Sequence, residues 1–185
     1  TIAECNTFYA AAGFANRATD LDFTVTDTTV DADALNTLDG NTTGTVTLSN
    51  TVTAVNGTGL AVKTVYETAS ANITGLDTDA TVTITGDSGS PTIIQANDLN
   101  DIDTVVSTVV QIDSTAVQIT GSYAEVNTAL AASTADTPTI ADLSGLTVAL
   151  ENTTTRTNYL TIQDDYTTGV VTATLEDSTI AQILN

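Results

Sequence analysis

The chain has 185 residues, of which 23 are acidic and three basic, giving a formal net charge of −20 without a single histidine. Binding to nucleic acid needs clustered Lys and Arg to neutralise phosphates, and Arg17, Lys63 and Arg156 cannot supply that. Without histidine, His-based nucleophilic triads, most zinc sites and the commonest general base are excluded. Apolar residues make up 41% of the chain but aromatics only 4%, and 42 residues are Thr. A core of Ala, Val, Ile and Leu beside so much β-branched Thr suits thin, regularly layered structure made of half-buried strands.

In chain order, Asn6-Thr7-Phe8-Tyr9-Ala10 is the first phrase that returns later, as Lys63-Thr64-Val65-Tyr66-Glu67 and as Asn127-Thr128-Ala129-Leu130-Ala131. Cys5 then corresponds to Val126, which reads as a small core residue. Phe23-Thr24-Val25-Thr26 predicts a strand. Asp31 predicts the cap of a short helix through Leu35 and Leu38 that Gly40 ends. Val52-Thr53-Ala54-Val55 predicts the next strand, followed by a helix capped by Thr58 and running through Leu60, Val62 and Tyr66. Gly86-Asp87-Ser88-Gly89-Ser90 is a loop; without a histidine base it carries no serine-nucleophile chemistry.

Leu35-Asn36-Thr37-Leu38-Asp39 returns as Leu99-Asn100-Asp101-Ile102-Asp103 and, more loosely, from Leu160 to Asp164. Thr53-Ala54-Val55 with Thr58-Gly59 returns as Thr115-Ala116-Val117 with Thr120-Gly121, ahead of a helix through Tyr123, Val126 and Leu130. Ser178 repeats the capped start before Thr179-Ile180-Ala181-Gln182-Ile183-Leu184. The displacements cluster near about 60 residues, which is a repeat period. The predicted fold is an α/β repeat in which strand-plus-short-helix units stack as a solenoid, with units at 1–62, 63–126 and 127–185. The alternative is all-β, a row of tandem β-sandwich domains. The opening Thr1-Ile2-Ala3-Glu4-Cys5 and the closing Thr179 to Ile183 stand at nearly the same phase, which predicts head-to-tail self-association or a slice of a longer array.

Grouped carboxylates invite a cation. Hard cations need several converging oxygens, and Asp98, Asp101 and Asp103 form the best candidate set for Ca²⁺, although their spacing matches no EF-hand. No apolar run is long enough to insert in a membrane. The sequons at Asn41, Asn56, Asn72 and Asn152 arise by chance in so Thr-rich a chain.

The phrases Ala34-Leu35-Asn36-Thr37-Leu38-Asp39-Gly40-Asn41-Thr42-Thr43-Gly44-Thr45-Val46 and Ile119-Thr120-Gly121-Ser122-Tyr123-Ala124-Glu125-Val126-Asn127-Thr128-Ala129-Leu130 resemble the Thr-rich repeat regions of giant bacterial cell-surface and adhesin proteins of the marine cyanobacterial type. Asp103-Thr104-Val105-Val106 departs from that pattern. The resemblance implies a secreted structural role at the cell surface and brings no catalytic residues or cofactor with it. The expected function is a non-enzymatic segment of an extracellular filament, rod or coat. The alternative is an adhesive, glycan-binding module such as an adhesin or phage tail-fibre segment.

Overall fold

The computed structural model describes residues 1–11, 18–67, 72–86, 92–141, 143–166 and 169–176. The closing segment 178–184 and Asp87–Ser90 of the glycine loop lie outside them.

Helices are set by their caps. Helix α1 (Ile2–Ala10) starts behind Thr1, whose hydroxyl accepts the Glu4 amide while the Glu4 carboxylate takes the Thr1 backbone amine. Strands β1 (Phe23–Val25) and β2 (Thr29–Asp31) follow. Asp31 then accepts the Ala34 amide at 2.8 Å and opens α2 (Ala32–Asn41). Next come β3 (Val46–Leu48) and β4 (Ala54–Thr58), after which Thr58 accepts the Ala61 amide at 3.2 Å to cap α3 (Gly59–Glu67). Strands β5 (Ile73–Thr74), β6 (Thr81–Thr85) and β7 (Ile93–Gln95) lead to α4 (Ala96–Val105), whose N-cap Gln95 makes no side-chain cap bond. Strands β8 (Gln111–Ile112) and β9 (Gln118–Gly121) lead to α5 (Tyr123–Thr134), opened by a Ser122–Glu125 capping box. Strand β10 (Thr147–Leu150) precedes α6 (Arg156–Thr161), which continues into a π-helical turn, Ile162–Tyr166, and the last described strand is β11 (Val171–Thr172).

The strands form three sheets in the orders β1-β3-β5, β2-β4-β6-β8 and β7-β9-β10-β11. Every pairing is parallel. The molecule is therefore mixed α/β with parallel sheets, and the all-β sandwich alternative is overturned: sandwiches are antiparallel, whereas here capped helices separate the paired strands. Register places like residues in rows. Val30, Val55 and Val82 line up across one sheet, and Ile94, Ile119, Val148 and Val171 across another, all facing the interior. The helices close that interior with Leu35, Leu38, Val62, Val65, Leu99, Ile102, Val126, Leu130 and Ile162. Each fully buried aliphatic contributes about 1.5–3 kcal/mol by leaving water.

Elements starting at 29, 32, 54 and 59 (β2, α2, β4, α3) recur from 93, 96, 118 and 123 (β7, α4, β9, α5), a constant displacement of 64 residues. Gly57 and Gly121 are the same position in the two blocks. Both have φ +155°, and a Cβ there would stand 3.0 Å and 3.1 Å from the Cβ atoms of Ala32 and Ala96. Strand β6 joins the blocks, because it pairs with β4 on one side and β8 on the other.

Several sequence expectations need correcting. Helices α2 and α3 are each preceded by two short strands, not one; before α2 the run Phe23 to Val30 breaks at Thr26–Thr28. Gly40 lies inside α2, which ends at Thr42, where the backbone turns extended. Leu60 is on α3 but points to solvent at 61% exposure. Val55 is matched by Ile119 under the 64-residue displacement, so Ala116 sits in the turn before β9 and is no counterpart of Ala54. Counted from the N-caps Asp31, Gln95 and Thr155, Tyr159 answers to Leu35 and Leu99, and Ile162 to Leu38 and Ile102; the loose copy at Leu160 is thus displaced by one residue. The unit boundaries 62/63 and 126/127 fall at the same point of α3 and α5.

Candidate functional site

In α1 to α4 the fifth residue after the N-cap bonds to the next helix. From α1, the Asn6 side-chain amide donates to the Ala34 carbonyl at 2.9 Å. From α2, Asn36 donates to the Ala61 carbonyl at 3.0 Å, and from α4, Asn100 to the Glu125 carbonyl at 2.9 Å. The acceptor is in each case the third residue after the next helix's cap. A side-chain amide that fixes one helix to the main chain of the next sets their spacing and register.

On α3 the equivalent residue is Lys63, the only lysine of the sequence. Its ammonium donates to Asp98 Oδ1 at 3.0 Å and lies 2.6 Å from Asp101 Oδ2. Asp98 is the third residue of α4 and its side chain is only 9% exposed, against 41% for Asp101. Asn97 donates a further bond to Asp98 at 3.0 Å. The two carboxylates, Asp101 first, hold the Lys63 ammonium well above its ordinary pKa of 10.5. Among the described residues these are the only ion pairs between two side chains. A Cβ built at Gly59 would stand 3.5 Å from Asp98 Cβ, an ordinary contact distance.

The Ca²⁺ candidates are thus divided. Lys63 stands against Asp98 and Asp101, while Asp103 accepts the Thr139 hydroxyl at 3.0 Å. Among the described residues no group of three His, Cys, Asp or Glu converges as metal ligands.

On the exposed face of the β1-β3-β5 sheet the threonines form a row. Thr24, Thr47 and Thr74 are adjacent in register and exposed, and the Thr74 hydroxyl donates to that of Thr47 at 3.2 Å. Buried Thr42 donates to the Leu21 carbonyl at 2.7 Å and so ties the end of α2 to the segment before β1. Cys5 is half-buried against the core, and burial pushes its thiol pKa up. Burial, and then Asp77, pushes the Tyr66 phenol up to about 12 while its hydroxyl donates to the Asp77 carbonyl at 3.2 Å. Tyr9, Tyr123, Tyr159 and Tyr166 pack against the core from partly buried positions. No ligand-sized cavity opens among the described residues, and none of their helices is long and apolar enough to cross a membrane.

Sequence reasoning passed over Lys63 and the asparagines Asn6, Asn36 and Asn100. Their signal was present as a polar residue five places after the caps of α1 to α5, but it shows only once the caps are aligned. No family model matches the chain, and no curated protein or solved structure is detectably similar to it.

Proposed function

We propose that this chain is a non-enzymatic structural segment of an extracellular filament, rod or coat, built as a solenoid of the three repeat units 1–62, 63–126 and 127–185 that stacks with further copies head to tail. The observation that carries this reading is the block β2-α2-β4-α3, repeated 64 residues later as β7-α4-β9-α5 with its inner aliphatic rows and its asparagine bridges. Such a block buries its faces only against its neighbours, which is how stacked repeats gain stability. Strands β1 and β2 each pair on one side only among the described residues, and an edge of that kind is a template for a further strand. A net charge of −20 keeps such a surface soluble, and the resemblance to Thr-rich bacterial surface repeats supports placement outside the cell. The lack of histidine supports a role without catalysis.

Negative-stain electron microscopy across a concentration series tests the assembly. Filaments with a regular axial repeat are the expected result, and single particles at every concentration would remove head-to-tail stacking. A second reading, a module that binds a surface glycan, draws support from the exposed hydroxyl row Thr24-Thr47-Thr74. Binding on a glycan array by dispersed monomers would favour it over the structural reading.

A further inference from the structure

Three of the steps between successive helices are held by a neutral amide: Asn6 joins α1 to α2, Asn36 joins α2 to α3 and Asn100 joins α4 to α5. The α3–α4 step is held by charge, with Lys63 between Asp98 and Asp101. Two further observations mark the same step. Helix α4 has no side-chain cap of its own at Gln95, whereas Thr1, Asp31, Thr58, Ser122 and Thr155 cap the others. Two of the three sheets also end or begin there, while the β2-β4-β6-β8 sheet runs through: β5 is the last strand of the β1-β3-β5 sheet, and β7 is the first of the β7-β9-β10-β11 sheet.

We propose that the α3–α4 step is an ionic latch between the two 64-residue blocks, which opens when the charge of Lys63 is removed while the amide-bridged steps stay closed. This goes beyond the structural role proposed above and stands whether or not the chain forms filaments. Asp98 is largely withdrawn from water, so without Lys63 it would be a nearly buried charge with only the Asn97 amide beside it, at the start of a helix that has no side-chain cap. Such a charge strains the docking of α4 on α3 before anything else.

The other charged groups around the step are few. Helix α2 contributes Asp33, held up by burial and then by Asp31. Helix α5 contributes Glu125, which feels the charge of Asp101 but is held low chiefly by its bond from Ser122. Glu67 lies one turn further along α3, and Asp103 on α4 is engaged by Thr139. Strands β4, β6 and β7 carry no charged residue. No second cation stands in for Lys63 among these groups.

Hydrogen–deuterium exchange of the whole chain at neutral pH tests the latch. K63M should lower protection in β7 and α4 by about ten-fold or more, and leave α1 and α2 within about two-fold of the parent. The double variant K63N/D98A rebuilds the asparagine-to-carbonyl bridge of the α1–α2 and α2–α3 steps. It should return α4 to within about three-fold of the parent. Uniform loss of protection in K63M, no loss at all, or a double variant that fails to recover α4 would each overturn the proposal.

Discussion

Replacing Gly57 or Gly121 by Ala probes the backbone geometry that brings strand and helix together. At φ +155° an L-residue is strained, at a cost of about 1–3 kcal/mol. The new methyl group would also meet Ala32 Cβ at 3.0 Å in the first block and Ala96 Cβ at 3.1 Å in the second. These neighbours are short side chains fixed to the starts of α2 and α4, so relief must come from small backbone shifts. At Gly121 the methyl would in addition lie 3.2 Å from Glu125 Oε2, the carboxylate that takes the Ser122 amide at 2.7 Å in the capping box. Disturbing that cap adds about 1 kcal/mol. Expected losses are therefore about 1–3 kcal/mol for G57A and about 2–4 kcal/mol for G121A. Urea unfolding followed by far-ultraviolet circular dichroism reads both as shifts of the midpoint, with the slope unchanged. The sign of the midpoint shift decides whether the backbone there is strained for an L-residue. Where the native backbone suits an L-residue, Gly→Ala stabilises by about 0.4–1 kcal/mol, so a raised midpoint in either variant would refute that strain.

The remaining predictions concern packing, bridging and charge. Ile119 is fully buried in the row Ile94-Ile119-Val148, so I119A should cost about 2–5 kcal/mol, whereas V117A at a 46% exposed site should stay within about 0.5 kcal/mol in the same titration. N36A should cost about 0.5–1.5 kcal/mol and N36D more, since a carboxylate would confront the Ala61 carbonyl that the amide now serves; thermal melts give the order. Tyr66 should hold its proton to about pH 12 in a spectrophotometric titration. Its pKa is higher folded than in the unfolded chain, so its contribution is intact below pH 10 and declines as pH rises through about 12, a decline that Y66F should lack.

Much of the helical layer was legible because caps act locally. Asp31 and Thr58 open their helices as read, and Val62, Tyr66, Val126 and Leu130 face inward as their three- and four-residue spacings require. The strands were harder. A Thr/Val alternation from Phe23 to Val30 looks continuous, and nothing local shows that the chain turns between Val25 and Thr29 to enter a second sheet. Gly40 misled because glycine is tolerated within a helix when tertiary packing supports it, here through Leu35 and Leu38. The motif Thr-Ala-Val misaligned Ala54 with Ala116, whereas the two glycines at φ +155° give the true displacement; backbone conformation is not written in residue names alone. As for the candidate site, counting carboxylates found Asp98 and Asp101 but could not pair them with Lys63, which lies 35 residues away from Asp98 in sequence. Asp103 shares their helix yet turns to Thr139, since spacing fixes a helix face but not the neighbours that face meets.

Parallel strands must stand side by side in register for any of this to hold, and solution NMR of the isotope-labelled chain observes that directly. Cross-strand proton contacts should join Val55 to Val82 and Ile119 to Val148, together with contacts from the Asn36 side-chain amide to Ala61. Contacts running in antiparallel order, or an Asn36 amide with no α3 neighbour, would contradict the account.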